Sequence, residues 1–335
     1  MSNQKSQDGK HTCIIKPLED ILIFSGSSHR ELARSIASQI GVGLSDTVIR
    51  KFTNDDFYIQ LGTSVRSKNV FIVQTLSPPC SDNLMELLLM LDIARSAAAH
   101  EVCAVIPYYS YARSDKKDAP RISIAARLIA DLLVTAGADK VITMTLHSPQ
   151  VHGFFSVPAD HLTAHSVFIE HLKQRDLSNS VVVSPDIGHA KRTSKLARAL
   201  HLPMAAGEKM RLTDSTVAIN GIMGNVDGKH VILNDDEIAT GGTIAEIIKY
   251  MRVHHNVKQV TVLGTHGLFT GRAVERLNEL EEIEEIVVTN TVPIPDERRP
   301  KRLTILSVAR IFAEVIRCNV MGRSVGELFE FWPTS

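Results

Sequence analysis

Cysteine is scarce in this chain, with four residues in 335, and no two of them lie close together. Cys13, Cys80, Cys103 and Cys318 show neither the paired spacing of zinc ligands nor that of a disulfide scaffold. We therefore expect inert thiols in a reducing compartment. With 44% hydrophobic residues, the chain can still bury ordinary cores.

The sequence also lacks an excess of either charge and any long apolar run. Basic and acidic residues number 37 each, so no overall field favours nucleic acid or an anionic membrane. Residues 1–16 are polar, unlike a signal peptide, and no later run reaches membrane-spanning length. We expect a cytoplasmic protein with no nucleic-acid or membrane partner, a disordered N-terminal tail at 1–17, and phosphate ligands held by local groups.

Short apolar strands alternate with amphipathic helices along the chain. Corresponding strands of the two halves lie about 145 to 160 residues apart. This repetition predicts two tandem domains of one α/β architecture, each with a mainly parallel sheet flanked by helices and with a link near 159–166. Ligands of such sheets collect at the carboxyl ends of strands, so we expect one cleft shared by both domains.

The most informative stretch, 231–243, predicts a strand, an acidic loop and a helix start. An apolar run leads into Asp235 and Asp236, and a Thr-Gly-Gly-Thr turn follows at 240–243. Small residues let backbone N–H groups approach a phosphate, and the helix N-terminus adds a positive dipole. The carboxylates would repel phosphate but suit vicinal hydroxyls or a divalent metal. The stretch predicts a sugar phosphate site, although a Gly-rich turn alone is also common for backbone reasons.

A second strand-to-helix corner follows the first apolar run. It consists of Ser25-Gly26-Ser27-Ser28, with a helix expected from His29. Small hydroxyl residues before a helix start favour an oxyanion. We expect an anion there as well.

The acid pair and its turn resemble the ribose 5-phosphate loop of the type I phosphoribosyltransferase family. Further stretches, in order from about Ile21 to Phe329, resemble the ribose-phosphate pyrophosphokinases. They include Phe24-Ser25-Gly26-Ser27-Ser28-His29, Asp82-Asn83-Leu84-Met85-Glu86-Leu87, Tyr111-Ala112-Arg113, Leu146-His147 and Ser184-Pro185-Asp186. With the repeat, the resemblance implies a nucleotide-side domain at 18–163, a ribose 5-phosphate-side domain at 164–324, and a segment at 325–335 that packs on the N-terminal domain.

The resemblance implies transfer of the β,γ-diphosphoryl group of MgATP to the anomeric hydroxyl of ribose 5-phosphate, which gives AMP. Such chemistry is mainly positioning and charge neutralisation, so cations, metal ligands and backbone donors are expected. The implied ribose 5-phosphate residues are Asp235, Asp236, Thr240, Gly241, Gly242 and Thr243. The implied catalytic residues are His147, Lys209 and Arg211, and the implied Mg²⁺ ligands are His147 and Asp186.

Several of these residues also have a plainer structural interpretation. His147 fits a histidine that caps a strand, and Asp186 fits a helix N-cap. Lys209 and Arg211 are expected on a mobile loop between Pro203 and Val217, where two cations are usually just solvated.

For the nucleotide, the family uses an F-S-D-G-E stretch and an arginine in Y-A-R-Q-D, which match residues 52–56 and 111–115. Phe52 and Arg113 are expected to sandwich adenine by stacking and cation–π contact. The implied ATP-binding residues are Phe52, Asn54, Asp56, Arg113, Ser114, Asp115 and His147. In the family these elements reach a neighbouring subunit, which implies a homo-oligomer built from dimers, with a hexamer expected.

The sequence departs from the family pattern close to the expected chemistry. Thr145 and Ala239 replace acids, Ser114 replaces Gln, His189 replaces Gly, and Met210 and Leu212 replace Arg and Pro. Loss of two carboxylates weakens metal binding. An active diphosphokinase therefore competes with a catalytically weak regulatory paralogue that binds nucleotide or ribose 5-phosphate and assembles with an active synthetase. A phosphoribosyltransferase acting on a base is disfavoured, because such enzymes need only one domain of this type.

Overall fold

The first half of the chain forms a five-stranded parallel sheet. The computed structural model describes residues 20–211 and 217–326; the expected tail at 1–17 and residues 327–335 lie outside the described residues. In spatial order the strands are β1 Ile21–Ser25, β4 Asn69–Val73, β5 Glu101–Ile106, β6 Lys140–Met144 and β7 Ala159–Leu162. Each neighbouring pair is parallel. A separate antiparallel hairpin joins β2 Thr47–Lys51 to β3 Phe57–Leu61.

The second half repeats this order and adds a hairpin at one edge. The strands are, in spatial order, β10 Val217–Met223, β9 Met204–Arg211, β8 Ser180–Ser184, β11 His230–Ile238, β12 Gln259–Gly267, β13 Ile283–Thr289 and β14 Leu303–Leu306. Only the β9–β10 pair is antiparallel among these described strands. The order of β8 and β11 to β14 matches that of the first sheet. The expected α/β fold with two mainly parallel sheets is confirmed.

Helices lie on both faces of each sheet. They are α1 Arg30–Ile40, α2 Cys80–Ser96, α3 Ala125–Thr135, α4 His165–Leu172, α5 Ala190–Leu200, α6 Gly242–His255, α7 Ala273–Asn278 and α8 Ala309–Met321. A central core joins one face of each sheet to α1, α4, α5 and α8. The outer face of the first sheet packs on α2 and α3, and the outer face of the second packs on α6 and α7.

Strand periodicity explains these layers. Along β4, Phe71 and Val73 belong to the central core, whereas Val70 and Ile72 face the outer core. Successive side chains of a strand point to opposite faces, so a strand that is apolar throughout is buried on both sides. The continuous apolar runs of the sequence are therefore central parallel strands.

The segment expected to link the domains contains structure instead. β7 occupies Ala159–Leu162 and completes the first sheet, and α4 begins at His165. A division at 163/164 stays a prediction. The helix α8 packs on α1 within the central core, and Val325 also packs against this core. Across the described residues, none of the helices is long and apolar enough to cross a membrane.

Candidate active site

The acid pair lies inside a strand, not in a loop after it. β11 continues through Asp235 and Asp236 to Ile238 and stays paired with β12. The Asp236 backbone N–H donates to Asp235 Oδ1 at 2.8 Å. Asp236 is buried and Asp235 is half-buried. Because strand pairing fixes this backbone, both carboxylates are held rigidly at the end of the second sheet.

His147 reaches the acid pair from the first sheet. Its Nδ1 lies 2.6 Å from Asp236 Oδ2. Just before it, Thr145 has a φ of 43°, which is rare for a β-branched residue. The Thr145 N–H donates to the Leu162 carbonyl at 2.9 Å, and its own carbonyl accepts from His266 Nε2 at 3.1 Å. These bonds hold a strained turn that places His147 between the two sheets.

The two carboxylates ionise unequally. Burial and the neighbouring Asp236 charge raise the pKa of Asp235 well above its usual range. Burial alone would also raise the pKa of Asp236, but the hydrogen bond and charge of His147 hold it below its usual range. The negative charge of the pair is therefore concentrated on Asp236.

Asp186 and His189 lie in the loop between β8 and α5. Asp186 Oδ1 accepts from the His189 backbone N–H at 2.9 Å, but the N-cap residue of α5 is His189, so Asp186 is not the helix N-cap. One ring nitrogen of His189 and one oxygen each of Asp235 and Asp236 lie within 4.8 Å of one another. Burial lowers the pKa of His189, so its imidazole is neutral at neutral pH.

The residues expected to hold Mg²⁺ each keep an atom for that role. His147 Nδ1 is engaged by Asp236, and Asp186 Oδ1 by the His189 N–H, which leaves His147 Nε2 and Asp186 Oδ2. Carboxylate oxygens are the ligands that Mg²⁺ prefers, and the buried Asp236 anion adds negative charge nearby. The types of donor present therefore suit a divalent cation.

The Thr-Gly-Gly-Thr turn connects β11 to α6. Gly241 precedes α6 with a φ of 68°, a conformation that favours glycine. The N–H groups of the first helical turn have no partners within the helix and can bind an anion. Arg276, from α7, donates through Nη1 to the Thr240 carbonyl. Asp235, Asp236 and the turn are thus consecutive parts of one rigid segment.

The expected nucleotide arginine contacts an acid that we did not predict. Arg113 Nη2 lies 3.4 Å from Glu237 Oε1, with exposed side-chain fractions of 58% and 10%. Tyr108 donates its hydroxyl to Glu237 Oε2 at 3.2 Å. Burial raises the pKa of Glu237, and the Arg113 charge opposes this rise. Arg113 therefore contacts the residue that follows Asp236 on β11.

The other expected ATP residues lie in two separate turns. Asn54 Nδ2 donates to Asp56 Oδ2 at 2.6 Å in the β2–β3 turn, where Phe52 is 53% exposed. None of the hydrogen bonds of the described residues links this turn to the acid pair. Ser114 Oγ donates to the Ser123 carbonyl at 3.0 Å before α3, and Asp115 beside it is half-buried.

Lys209 and Arg211 lie on a strand instead of the expected loop. They belong to β9, whose backbone pairs antiparallel with Ile219 and Val217 of β10. Their side chains and residues 212–216 fall outside the described part of the structure. A sequence of mixed polarity fits an antiparallel hairpin at the edge of a sheet as well as a loop. This explains why the segment was expected to be a loop.

The hydrogen-bond donors of Ser27 and Ser28, in the corner at 25–28, are already bonded to other side chains of the protein. Glu86 accepts from the Ser27 N–H at 2.8 Å and from its hydroxyl at 2.7 Å. Gln74 Oε1 accepts from the Ser28 N–H at 3.2 Å. The protein's own carboxylate and amide occupy these donors, so the expectation of an oxyanion site there was wrong.

Sequence reasoning missed four side chains near the site. Glu237 and Arg276 gave no signal, because their partners Arg113 and Thr240 are distant or main-chain groups. His189 was noted only as a departure. Arg192 has buried Nη1 and Nη2 atoms without a hydrogen-bond partner among the described residues. The position of this basic residue, one turn after His189, was the signal in the sequence that could have placed Arg192 near the site.

Comparisons with known proteins show the family of the chain. The family model for the N-terminal domain of ribose phosphate pyrophosphokinase matches residues 21–137, and that for the phosphoribosyl synthetase-associated domain matches 210–330. A ribose-phosphate pyrophosphokinase of Deinococcus radiodurans is 49% identical over 92% of this chain and 98% of its own length. One from Clostridium acetobutylicum is 42% identical over 93% and 98%.

A crystal structure extends the likeness to the whole fold. The phosphoribosylpyrophosphate synthetase of Mycobacterium smegmatis has a TM-score of 0.85 with this chain, at 37% identity. The match covers 90% of this chain and 99% of that one. Together with the two family models and the paired sheets that meet at His147 and Asp236, this places the chain in the ribose-phosphate pyrophosphokinase family.

Proposed function

We propose that the protein transfers the diphosphoryl group of MgATP to the C1 hydroxyl of ribose 5-phosphate, giving 5-phosphoribosyl 1-diphosphate and AMP. The observation that carries this proposal is the 2.6 Å contact between His147 and Asp236. It joins the nucleotide half to the ribose half, so that both substrates can meet at one point. Family membership supplies the substrate classes.

On the ribose side, the rigid strand end presents acceptors and the turn presents donors. Asp235 and Asp236 accept hydrogen bonds from the ribose hydroxyls, and the backbone of 240–243 with its flanking threonines binds the 5-phosphate. Arg276 adds positive charge beside Thr240. This arrangement fixes the sugar with its anomeric hydroxyl directed towards His147.

On the nucleotide side, Arg113 and Phe52 hold the adenine, with Asn54, Asp56, Ser114 and Asp115 around them. Phe52 and its turn are exposed, which suits a contact completed by a neighbouring subunit, and we propose a homo-oligomer for this reason. Glu237 orients Arg113 from the ribose side. ATP is thereby linked to the same strand that holds the sugar.

In the transfer step, the O1–Pβ bond forms while the bond from Pβ to the α,β-bridging oxygen breaks. AMP leaves with the bridging oxygen, and the proton of the C1 hydroxyl passes to solvent. His147 and Asp186 would hold Mg²⁺, which would neutralise the charge of the phosphates. Lys209 and Arg211 stabilise the charge that spreads over the transferred oxygens. These side chains position the substrates and neutralise the charge of the phosphates, and none acts as a covalent nucleophile.

One specific observation favours a second function. Thr145 and Ala239 lack the carboxylates expected beside His147 and in the turn, and Thr145 Oγ1 is buried without a hydrogen-bond partner among the described residues. A chain with a weaker metal site could bind nucleotide or ribose 5-phosphate and act as a regulatory subunit of an active synthetase. This alternative shares the substrates and differs only in turnover.

The test is a direct assay of both products with purified protein, MgATP and ribose 5-phosphate. We expect AMP and phosphoribosyl diphosphate in equal amounts, and a loss of about 10²-fold or more in kcat for His147→Gln. His152→Gln is the matched control, because His152 is exposed and its Nε2 lies 2.8 Å from the Ala159 carbonyl. ATP binding without AMP formation would favour the regulatory function, and formation of ADP alone would overturn the proposal.

A further inference from the structure

A buried histidine of the second sheet makes hydrogen bonds to both halves of the chain. His266 lies on β12, is 3% exposed, and pairs in register with Glu237 of β11. Its Nε2 lies 3.1 Å from the Thr145 carbonyl of the first half, and its Nδ1 lies 2.8 Å from Thr291 Oγ1 of the second half. The proposed transfer step assigns this side chain no role. A buried polar side chain in such a position needs an explanation of its own.

The two bonds fix which ring nitrogen carries the proton. A carbonyl oxygen only accepts, so Nε2 of His266 must donate to Thr145. Burial lowers the pKa of His266 to about 4, so at neutral pH the ring has one proton and Nδ1 accepts from the Thr291 hydroxyl. The Thr265 carbonyl, 3.1 Å from the Thr291 hydroxyl, is already bonded to the Thr289 hydroxyl at 2.7 Å, so the closer imidazole takes the Thr291 proton. The ring is thus held in one tautomer and one orientation.

The first half of the chain also packs against this histidine and its threonine partner. The ring of Tyr108 lies edge-on to that of His266, with centroids 4.9 Å apart and planes at 65°. Thr75 Oγ1 donates to the Thr291 carbonyl at 2.7 Å, and both threonines are buried. The imidazole therefore cannot turn away from Thr145 without leaving buried polar atoms unpaired, which is costly.

Thr145 is the residue whose backbone conformation depends on this bond. Its φ of 43° lies in the left-handed region, which a β-branched residue rarely adopts. The Thr145 N–H donates to the Leu162 carbonyl at 2.9 Å, and the bond from the imidazole fixes the other end of the residue. Two residues later, His147 Nδ1 lies 2.6 Å from Asp236 Oδ2. A change of backbone conformation at Thr145 would therefore move His147 away from Asp236.

We propose that His266 is a positioning residue, whose Nε2–H bond to the Thr145 carbonyl holds the turn that places His147 against Asp236. His266 belongs to the second half of the chain and His147 to the first. The catalytic histidine therefore takes its working position only when the two halves are docked. His266 acts through His147 and not on a substrate, and the kinetic part of this inference rests on the proposed diphosphoryl transfer.

Two amide substitutions separate the two bonds of the imidazole. His266→Gln places an amide N–H near the position of Nε2 and keeps a donor for Thr145. His266→Asn places its amide near the position of Nδ1, so it keeps a partner for Thr291 and leaves the Thr145 carbonyl without a donor. We expect kcat of His266→Asn to fall about tenfold to a hundredfold, because a misplacement of about 1 Å in a catalytic group has an effect of this size. The KM for ribose 5-phosphate should change less than about twofold, and His266→Gln should keep kcat within about threefold of wild type.

Hydrogen exchange measures the order of the turn without any turnover. In the purified full chain without substrates, the amides of residues 143–148 should exchange about tenfold faster in His266→Asn than in wild type or His266→Gln. His230→Gln is the matched control, because the His230 ring bonds a threonine hydroxyl of the same sheet, that of Thr261, at 2.9 Å. This control should change neither kcat nor the exchange of residues 143–148. Thermal melting checks that each variant is folded.

The outcomes separate the bond to Thr145 from general packing of the ring. A folded His266→Gln that loses as much turnover as His266→Asn would overturn the inference, and so would a folded His266→Asn with wild-type kcat and exchange. If His266→Asn does not fold, His266→Gln decides alone: wild-type exchange at 143–148 supports the role of the donor, and exchange about tenfold faster overturns it. A wild type that forms no AMP from MgATP and ribose 5-phosphate would instead refute the proposed function, while the exchange comparison would still test the turn.

Discussion

Gly242 is the residue where backbone access bears most directly on ribose 5-phosphate binding. A Cβ there would meet Arg276 Nη1 and Thr240 Oγ1 at 3.6 Å each, which is ordinary contact, so the fold tolerates a side chain. Gly242→Val should instead cover the first-turn N–H groups. We expect the KM for ribose 5-phosphate to rise about tenfold, for roughly 1.4 kcal/mol of lost charge-assisted hydrogen bonding, with the KM for ATP nearly unchanged.

Two other glycines provide the comparison. Gly43→Val is the control, because a Cβ at Gly43 meets nothing within 4 Å. Gly241→Val should lower stability, since Gly241 has a φ of 68° and its Cβ would lie 3.3 Å from Leu277 Cγ. Steady-state kinetics and thermal melting measure both effects. An unchanged KM for ribose 5-phosphate in folded Gly242→Val would place the phosphate elsewhere.

Single residues show what the sequence could and could not predict at this scale. The acid pair and its turn were predictable, because the residues that form this part of the site lie close together in the sequence. Glu237 follows Asp236 directly, yet its partners Tyr108 and Arg113 lie more than a hundred positions away. Such a pairing depends on how two sheets meet, and no local pattern encodes it.

At the scale of elements, the β9–β10 hairpin carries the proposed catalytic cations. Lys209 and Arg211 stabilise charge that develops only after both substrates are bound. We expect Lys209→Ala and Arg211→Ala each to lower kcat about 10²–10³-fold, with little change in ribose 5-phosphate affinity. The double variant should lose less than the product of the two factors, because residues that act together are not additive.

A matched control for the hairpin is Lys229→Ala, which removes a cation outside both strands. Single-turnover and binding measurements separate kcat from affinity. Near wild-type turnover in either single variant would mean that other cations act in the transfer, with Arg192 the next to test.

Two strand-to-helix corners show the limit of prediction for elements. The corner at 25–28 and the turn at 240–243 have similar composition, and both precede a helix. In the first, Glu86 and Gln74 from other elements take the donors. In the second, the Arg276 guanidinium donates to the Thr240 carbonyl. Whether the donors of a corner are occupied depends on side chains from other elements that pack against it. The sequences of the two corners alone therefore do not distinguish them.

For the whole molecule, buried histidines couple stability to pH. Burial, together with cations that include Arg192 and Lys195, lowers the pKa values of His161 and His165 to about 4, and burial does the same for His266. The unfolded chain takes up these protons near pH 6.5 and the folded chain does not. The free energy of unfolding should therefore fall as pH decreases from 6.5 towards 4, by about 1.4 kcal/mol per pH unit for each histidine.

Urea unfolding between pH 7 and pH 5 measures this slope. His165→Gln should reduce the slope by the contribution of one proton, about 1.4 kcal/mol per pH unit. The variant His254→Gln, at an exposed histidine, should reduce the slope far less. Burial raises the pKa of Asp235, and a carboxyl group of this kind contributes a slope of the opposite sign, so the comparison with His165→Gln isolates the part that belongs to a histidine. A flat profile from pH 7 to pH 5 would be incompatible with neutral, buried imidazoles.

The packing of α8 on α1 has a consequence for synthesis on the ribosome. The apolar face of α1, with Leu32, Ile36 and Ile40, shares the central core with Phe312 and Ile316 of α8. Among the described helices, the first is thus covered by the last, which emerges only after residues 1–308 have been translated. Until then the nascent first half exposes an apolar surface, so it depends on chaperones or on late assembly, and fragments that stop before 309 should aggregate.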